Sequence, residues 1–306
     1  MLLSKSAQLI MATAYAHRAG FVHGDIHLGN VLLQLPGSEL DHLSIQQVYE
    51  RNYKPDPCPV TRTDGQPVFS PSVPKNVYTP NWLGKPSDEV LLPEAKLWLA
   101  DFGTAFNPSQ ETRLLSYTHL QNRPPEAVFD STKPLTFSSD IWSLGLMVWE
   151  GMGSGPFMSG FLFGENEVIA DQVDALGPLP HEWWEKWETR TNVSTEGRQP
   201  RGGRKVWPLQ KRFDLILRRG KKTAKLDDEE SRAFLDMIKG MLRFRPEECM
   251  TADQVLRSEW MSKWALPDCT FLISNNGVQI IRASVYICIT DNESSTSIGT
   301  VKSSIE

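Results

Sequence analysis

An aspartate and an asparagine five positions apart, Asp25 and Asn30, stand in the run His23-Gly24-Asp25-Ile26-His27-Leu28-Gly29-Asn30. A carboxylate in such a loop can accept a proton from a hydroxyl nucleophile, and an amide oxygen can ligate Mg²⁺. A second acid, Asp101, opens Asp101-Phe102-Gly103 directly after the apolar run Leu97-Trp98-Leu99-Ala100. The three suit phosphoryl transfer, which asks a protein mainly for positioning and charge neutralisation. Mg²⁺ takes few carboxylates and completes its sphere with phosphate and water oxygens, so one Asp and one Asn from different loops meet the need.

Elements that could hold these residues are legible on both sides. Leu2 to His17 is rich in Ala, Leu and Ile without a breaker, and Gly20 closes it as at a helix end. Asn30 to Gln34 reads as a short strand, and so does Leu97 to Ala100. Between them, residues 35–94 carry ten prolines and read as a long irregular insertion, helical only over Leu43 to Arg51. Ser139 to Met152 is apolar nearly all round, the mark of a helix buried at a domain centre. Trp183, Trp184 and Trp187 follow Pro178 and Pro180 as a packing stripe on a short helix. From Arg198 to Lys225 eleven Lys/Arg face one acid, Asp214, which reads as a solvated basic insertion, with an anion or partner site as the alternative. Phe234, Ile238, Met241 and Leu242 have helical spacing, and Thr251 can cap a further short helix through Leu256. Residues 278–289 suggest one or two extended segments in a tail of unassigned role, 265–306.

Composition narrows the setting. The chain has 306 residues, 40% of them hydrophobic, enough for a real core. A formal charge of −5 speaks against a general nucleic-acid or membrane-surface binder. Cys58, Cys249, Cys269 and Cys288 lack the spacing of a zinc site or a disulfide framework. No apolar run has transmembrane length, and no signal peptide is evident, so an intracellular location, cytoplasm and/or nucleus, is expected.

Further signals follow in a fixed order: Arg123-Pro124-Pro125-Glu126, then Asp140-Ile141-Trp142-Ser143-Leu144-Gly145, then Met241 to Pro246, Thr251-Ala252 and Trp260. With the Asp25 and Asp101 loops in front of them, residues 1–264 resemble the C-terminal lobe of a eukaryotic-type protein kinase. The proline-rich insertion, the Arg-Pro-Pro-Glu form and the Leu176-Gly-Pro-Leu-Pro segment before Trp183-Trp184 resemble SR-protein-kinase-like enzymes. The fold implied is mainly α, the C-terminal lobe of the protein-kinase-like α+β fold with a long irregular insertion. The activity implied is transfer of the ATP γ-phosphate to Ser/Thr of protein substrates, Arg-Ser-rich ones by the SR resemblance. Asp25 is then the catalytic base, and Asn30 and Asp101 hold Mg²⁺ and with it ATP. Residues 101–126 form the activation segment, and Asp140 braces the catalytic loop from the central helix. Neither nucleic acid nor membrane is implied as a partner.

Several positions depart from the family pattern. The Gly-rich loop, the strand lysine and the helix glutamate of the smaller lobe are not found, so the chain is expected to be truncated and to bind nucleotide poorly. His27 stands where these kinases usually place a lysine near the transferred phosphate; it is a candidate catalytic residue, or it packs against the loop. Gly24 replaces an arginine that often reads an activation-loop phosphate. Thr118 stands one residue off the usual spacing to Glu126 and carries no assigned role. Cys249 occupies the position of an arginine usually paired with the glutamate matching Glu126. Either Arg243 or Arg245 then substitutes, or Glu126 is exposed or protonated. Two other functions stay open. His23-Gly24-Asp25 with His27 also resembles aminoglycoside- and choline-type small-molecule kinases, and a lobe without its partner can serve as a non-catalytic binding scaffold. An Arg-Ser substrate wants an acidic docking surface, for which Glu182, Glu185 and Glu188 are the candidates.

Overall fold

The computed structural model describes residues 2–34, 41–66, 70–78, 90, 96–152, 157, 164–193, 205–219, 226–267 and 269. Two compact units divide the chain: Met1–Leu33 with Ala95–Glu306, and Gln34–Glu94.

The larger unit is built on two helices. α1 (Leu2–Arg18) ends at Gly20, and α4 (Phe137–Met152) is buried continuously from Ser139 to Trp149. A helix surrounded on all sides has no polar face to keep, which is why its sequence shows no amphipathic stripe. Ala7, Ile10 and Ala14 of α1 join Leu144, Met147 and Val148 of α4 in one core. β1 (Val31–Leu33) follows a 3₁₀ turn, Leu28–Asn30, and pairs antiparallel with β4 (Leu97–Leu99), Val31 opposite Leu99. After the four-residue α3 (Glu126–Phe129) come α5 (Glu165–Leu176), α6 (His181–Lys186) and α7 (Arg190–Val193). Trp183, Trp184 and Trp187 are all buried with Phe129 and Leu179, as their packing role predicts.

α8 (Leu209–Arg219) corrects the view of 198–225 as a wholly solvated insertion. Leu209 and Phe213, one turn apart, are buried in the main core. Phe213 stacks on Phe234 of α9 (Asp228–Met241) at 5.5 Å, and Trp149 meets Phe157, Phe213 and Phe234 at 5.1–6.3 Å. Such aromatic pairs add about 0.5–1.5 kcal/mol each beyond their buried area. Gly145 lets α4 and α9 approach closely: a Cβ there would lie 3.0 Å from Leu242 and 3.1 Å from Met241. α10 (Ala252–Leu256) starts on a reciprocal cap between Thr251 and Gln254, and a π-helical turn, Met261–Ala265, follows. The extended segments expected over 278–289 lie outside the described residues.

The smaller unit holds a helix at the span expected to be helical, and a strand pair beyond that expectation. α2 (Ile45–Asn52) starts on a capping box between Ser44 and Gln47. β2 (Pro57–Pro59) pairs antiparallel with β3 (Asn76–Tyr78), and both strands are exposed along their length. Among the described residues, no helix is long and apolar enough to cross a membrane.

Candidate functional site

Asp140, on the first turn of α4, fixes the loop between α1 and β1. It is buried, with Oδ2 accepting from the His23 amide at 2.6 Å and Oδ1 from the Gly24 amide at 2.9 Å. His17 Nε2, from the last turn of α1, lies 2.9 Å from Oδ2. Three partners on two oxygens saturate the carboxylate, as a buried charge requires. The bracing role expected of Asp140 is present; the His17 contact was not foreseen, since nothing in the spacing of α1 marks that histidine.

His23 ties the same loop to the end of β4. Its ring is buried, Nε2 donates to the Ala100 carbonyl at 3.0 Å, and Nδ1 accepts the Asp25 amide at 3.3 Å. A carbonyl only accepts, so the ring proton sits on Nε2. The Phe102 ring packs on His23 at 4.6 Å, joining Asp101-Phe102-Gly103 to the loop. Antiparallel pairing then sets Asn30 opposite Ala100, whose amide donates to the Asn30 carbonyl at 2.9 Å. Asn30 and Asp101 are thus brought to neighbouring positions at one end of the β1–β4 pair.

The three side chains differ in what they leave open. Asn30 is buried and its Nδ2 donates to the Asp25 carbonyl at 2.9 Å, which leaves Oδ1 without a protein partner among the described residues. Asp101 adopts a left-handed backbone, φ 61°, and among the described residues its carboxylate accepts only from the Gly103 amide, at a long 3.4 Å. Asp25 Oδ1 is buried and has no hydrogen-bond partner among the described residues. A buried acceptor left empty costs about 1–3 kcal/mol, so the empty Asp25 Oδ1 is a stabilisation the fold forgoes. One amide oxygen and one exposed carboxylate fit Mg²⁺ that brings its own phosphate and water oxygens. No group of three His, Cys, Asp or Glu among the described residues could hold a metal by itself.

His27 turns back on the loop. Its Nδ1 accepts the Gly29 amide at 3.0 Å, so the proton sits on Nε2, which lies 3.5 Å from Asp25 Oδ2. This places His27 beside the second oxygen of the candidate base. Its other face meets the His119 ring at 5.0 Å, edge on, a neighbour that sequence reasoning missed.

Gly24 has a physical reason to replace arginine. Its φ is +79°, and a Cβ there would lie 2.9 Å from the Thr104 carbonyl oxygen. The stretch 101–126 is instead tied down by its own side chains. Thr118 Oγ1 donates to the Gly24 carbonyl at 3.0 Å, and Arg123 donates to the Thr118 carbonyl from two nitrogens, each at 3.3 Å. Arg113 donates to the Thr104 carbonyl at 2.6 Å, pairs with Glu111 at 2.7 Å and lies over the rings of Phe106 and Tyr117.

Glu126, at the end of that segment, has no arginine. Arg245 is engaged with Glu182 at 2.6 Å, and Arg243 forms no ion pair among the described residues. Burial first, then the charges of Glu247 and Asp130, push the Glu126 carboxyl up to about 7. Of the outcomes open for Glu126, the shift favours protonation, which is partial at neutral pH. Burial chiefly, with the Glu126 charge adding to it, pushes the Cys249 thiol up to about 12; its Sγ donates to the Arg243 and Arg245 carbonyls at 3.5 and 3.7 Å.

A family model described as the protein kinase domain matches residues 85–261, more than half of the chain, beginning after the Asp25 loop. The serine/threonine-protein kinase AFC2 of Arabidopsis thaliana is 23% identical over 265 residues, covering 84% of this chain and 52% of that protein. The mitogen-activated protein kinase pmk-3 of Caenorhabditis elegans is 22% identical over 186 residues, covering 60% of this chain and 36% of that protein. The chain thus spans about half the length, or less, of the curated relatives it matches. A crystal structure of a kinase domain covers 85% of this chain and 66% of its own, with TM-score 0.49 and 16% identity. On the strength of the matched span, this chain belongs to the protein kinase domain family.

Proposed function

We propose that the chain carries the catalytic loop of a protein serine/threonine kinase, with Asp25 as the base. The observation behind this reading is the empty, buried Oδ1 of Asp25 in a loop whose backbone is held by Asp140 and by Asn30 Nδ2. Bound Mg²⁺-ATP would supply the γ-phosphoryl group and the neutralising charge. Asn30 Oδ1 and the Asp101 carboxylate would hold the Mg²⁺. Asp25 Oδ1 takes the proton of the Ser or Thr hydroxyl as that oxygen attacks. His27 Nε2–H, at 3.5 Å from Oδ2, steadies the carboxylate and leaves Oδ1 as the basic atom.

An Arg-Ser-rich substrate is a narrower claim with less behind it. Of the three acids available for it, Glu182 is paired with Arg245 at 2.6 Å and Glu185 with Arg190 at 3.2 Å. The proposal therefore stops at Ser/Thr of protein substrates.

The test is phosphate transfer from Mg²⁺-ATP to a Ser/Thr peptide library, using the chain with any coding sequence found in frame upstream of it. Asp25→Ala should lower turnover by roughly 10²–10⁴-fold, the usual share of general acid–base catalysis. Turnover near that of the parent removes Asp25 from the role. Transfer to alcohol metabolites alone overturns the protein-kinase reading in favour of a small-molecule kinase.

A further inference from the structure

A groove of about 510 Å³ lies between the end of α5, the start of α6, the start of α8 and the end of α9. That is within the roughly 300–1,000 Å³ of ordinary ligand sites. Its floor is apolar: Leu179, Leu209 and Leu242 are each at most 5% exposed. Its rim is basic. Lys239, Arg243, Arg245 and His181 border it against one acid, Glu248.

These cations are not equally engaged. Arg245 is held by Glu182 at 2.6 Å, with Glu248 at 3.8 Å and Glu247 at 3.9 Å. Lys239 reaches Asp236 only at 3.6 Å, in an exposed pair worth little. Arg243 is exposed and has no ion pair among the described residues. The surrounding sequence has the same sign, because α8, which contributes Leu209, lies within the stretch of eleven Lys/Arg and one acid. Phe244 borders the groove, but its ring is stacked on Trp142 at 6.3 Å, so it offers a nucleobase no free platform. An apolar floor under a basic rim calls for a ligand that is apolar in the middle and negative around it.

We propose that this groove docks an acidic linear segment of a protein partner. A bulky apolar side chain of that segment sits on the leucine floor, and its carboxylates meet Arg243 and Lys239. The charge is opposite to what an Arg-Ser segment needs. Docking requires no phosphoryl transfer, so it stands or falls separately from the kinase reading.

Fluorescence anisotropy with the full chain tests this. The probe is a labelled peptide of about twelve residues in which Asp and Glu flank a single Phe. Saturable binding is expected, weakened about tenfold or more by the double variant Lys239→Glu/Arg243→Glu and weakened again by added salt. Replacing the Phe by Ser should weaken it comparably, and an Arg-Ser peptide of equal length should not bind. Both substituted side chains are exposed, so the variant should melt with the parent. Lys239→Ala/Arg243→Ala provides a milder second version of the same loss. Binding indifferent to charge reversal, or to loss of the Phe, overturns the proposal. So does equal affinity for a single-stranded oligonucleotide of matched charge, which would make the surface a general polyanion binder.

Discussion

Two acids in this protein, the buried Asp140 and the half-buried Glu126, have opposite surroundings. Asp140 sits at the start of α4 with two backbone amides and His17 on its oxygens, and through them it holds the Asp25 loop. Glu126 sits at the start of α3 with two further acids, Glu247 and Asp130, acting on it, one backbone hydrogen bond in its favour and no side chain donating to it among the described residues. The first anchors a loop because its charge is answered by donors. The second is driven toward its neutral form because desolvation and two neighbouring acids outweigh the one backbone hydrogen bond it receives. Burial alone therefore says little about an acid's contribution; the donors around it decide.

The largest expected effect is at Asp140. Asp140→Ala strips the acceptor from two buried amides, each worth about 1–3 kcal/mol when left unsatisfied, so roughly 2–6 kcal/mol in all. In a chain of this size, each kcal/mol lowers the melting temperature by about 2–4 °C. Thermal melting, with hydrogen exchange at the His23 and Gly24 amides, measures it. A melting temperature within about 2 °C of the parent would show that Asp140 does not anchor the loop and would dissolve the contrast.

The contrast also marks how far the sequence can be read. The Asp140 side of it is legible through the resemblance: an acid at the start of an all-apolar helix, well after the Asp-and-Asn loop, stands where kinase lobes place the brace. His17 is not legible, because its link to Asp140 spans 123 positions and rests on how α1 lies against α4. Gly24 reads as a lost arginine, whereas its positive φ and the nearby Thr104 carbonyl exclude a side chain, a fact of backbone path. α8 was hidden by its charge: eleven basic residues in the stretch mask Leu209 and Phe213 at a spacing of one turn. α5 had a usable signal in Val168, Ile169, Gln172 and Ala175, all buried along one face, and it went unread. In the Gln34–Glu94 unit the helix expected over Leu43 to Arg51 is present as Ile45–Asn52, whereas the prolines concealed a two-stranded ribbon, because it is short and exposed and leaves no apolar period to detect.

Glu126 yields the next largest effect, and its sign follows from the direction of its shift. The folded carboxyl titrates at about 7 against an ordinary 4.5, so between those values the folded chain holds a proton that the unfolded chain has lost. Stability on this account is full below pH 4.5, falls as pH rises toward 7, and stays at its lower level above that. At about 1.4 kcal/mol per unit the loss is roughly 3 kcal/mol at most. Glu126→Gln has no proton to lose and should melt with the parent near pH 4.5 and above it at pH 8. Parallel melting curves for the two proteins from pH 4.5 to pH 8 would mean that Glu126 already has a partner.

The smallest effect tests the cause rather than the size. If Glu126 is uncomfortable because position 249 lacks an arginine, supplying one should relieve it. Cys249 borders a groove of about 430 Å³ shared with Arg18, Glu247 and Asp253, which gives a longer side chain room. The thiol's long contacts to the Arg243 and Arg245 carbonyls are weak donors to give up. Cys249→Arg should therefore raise the melting temperature at pH 8 by a few degrees, for a gain of roughly 1–2 kcal/mol, below the full value of a buried pair because the arginine must itself be desolvated. Near pH 5 the gain should shrink, since Glu126 is then protonated and offers no charge. The double variant with Glu126→Gln separates a restored ion pair from mere filling of the groove: coupling between the two sites must remove the gain. A gain that survives in the double variant, or that is the same at both pH values, assigns the stabilisation to packing and leaves Glu126's displaced titration to burial and its acidic neighbours alone.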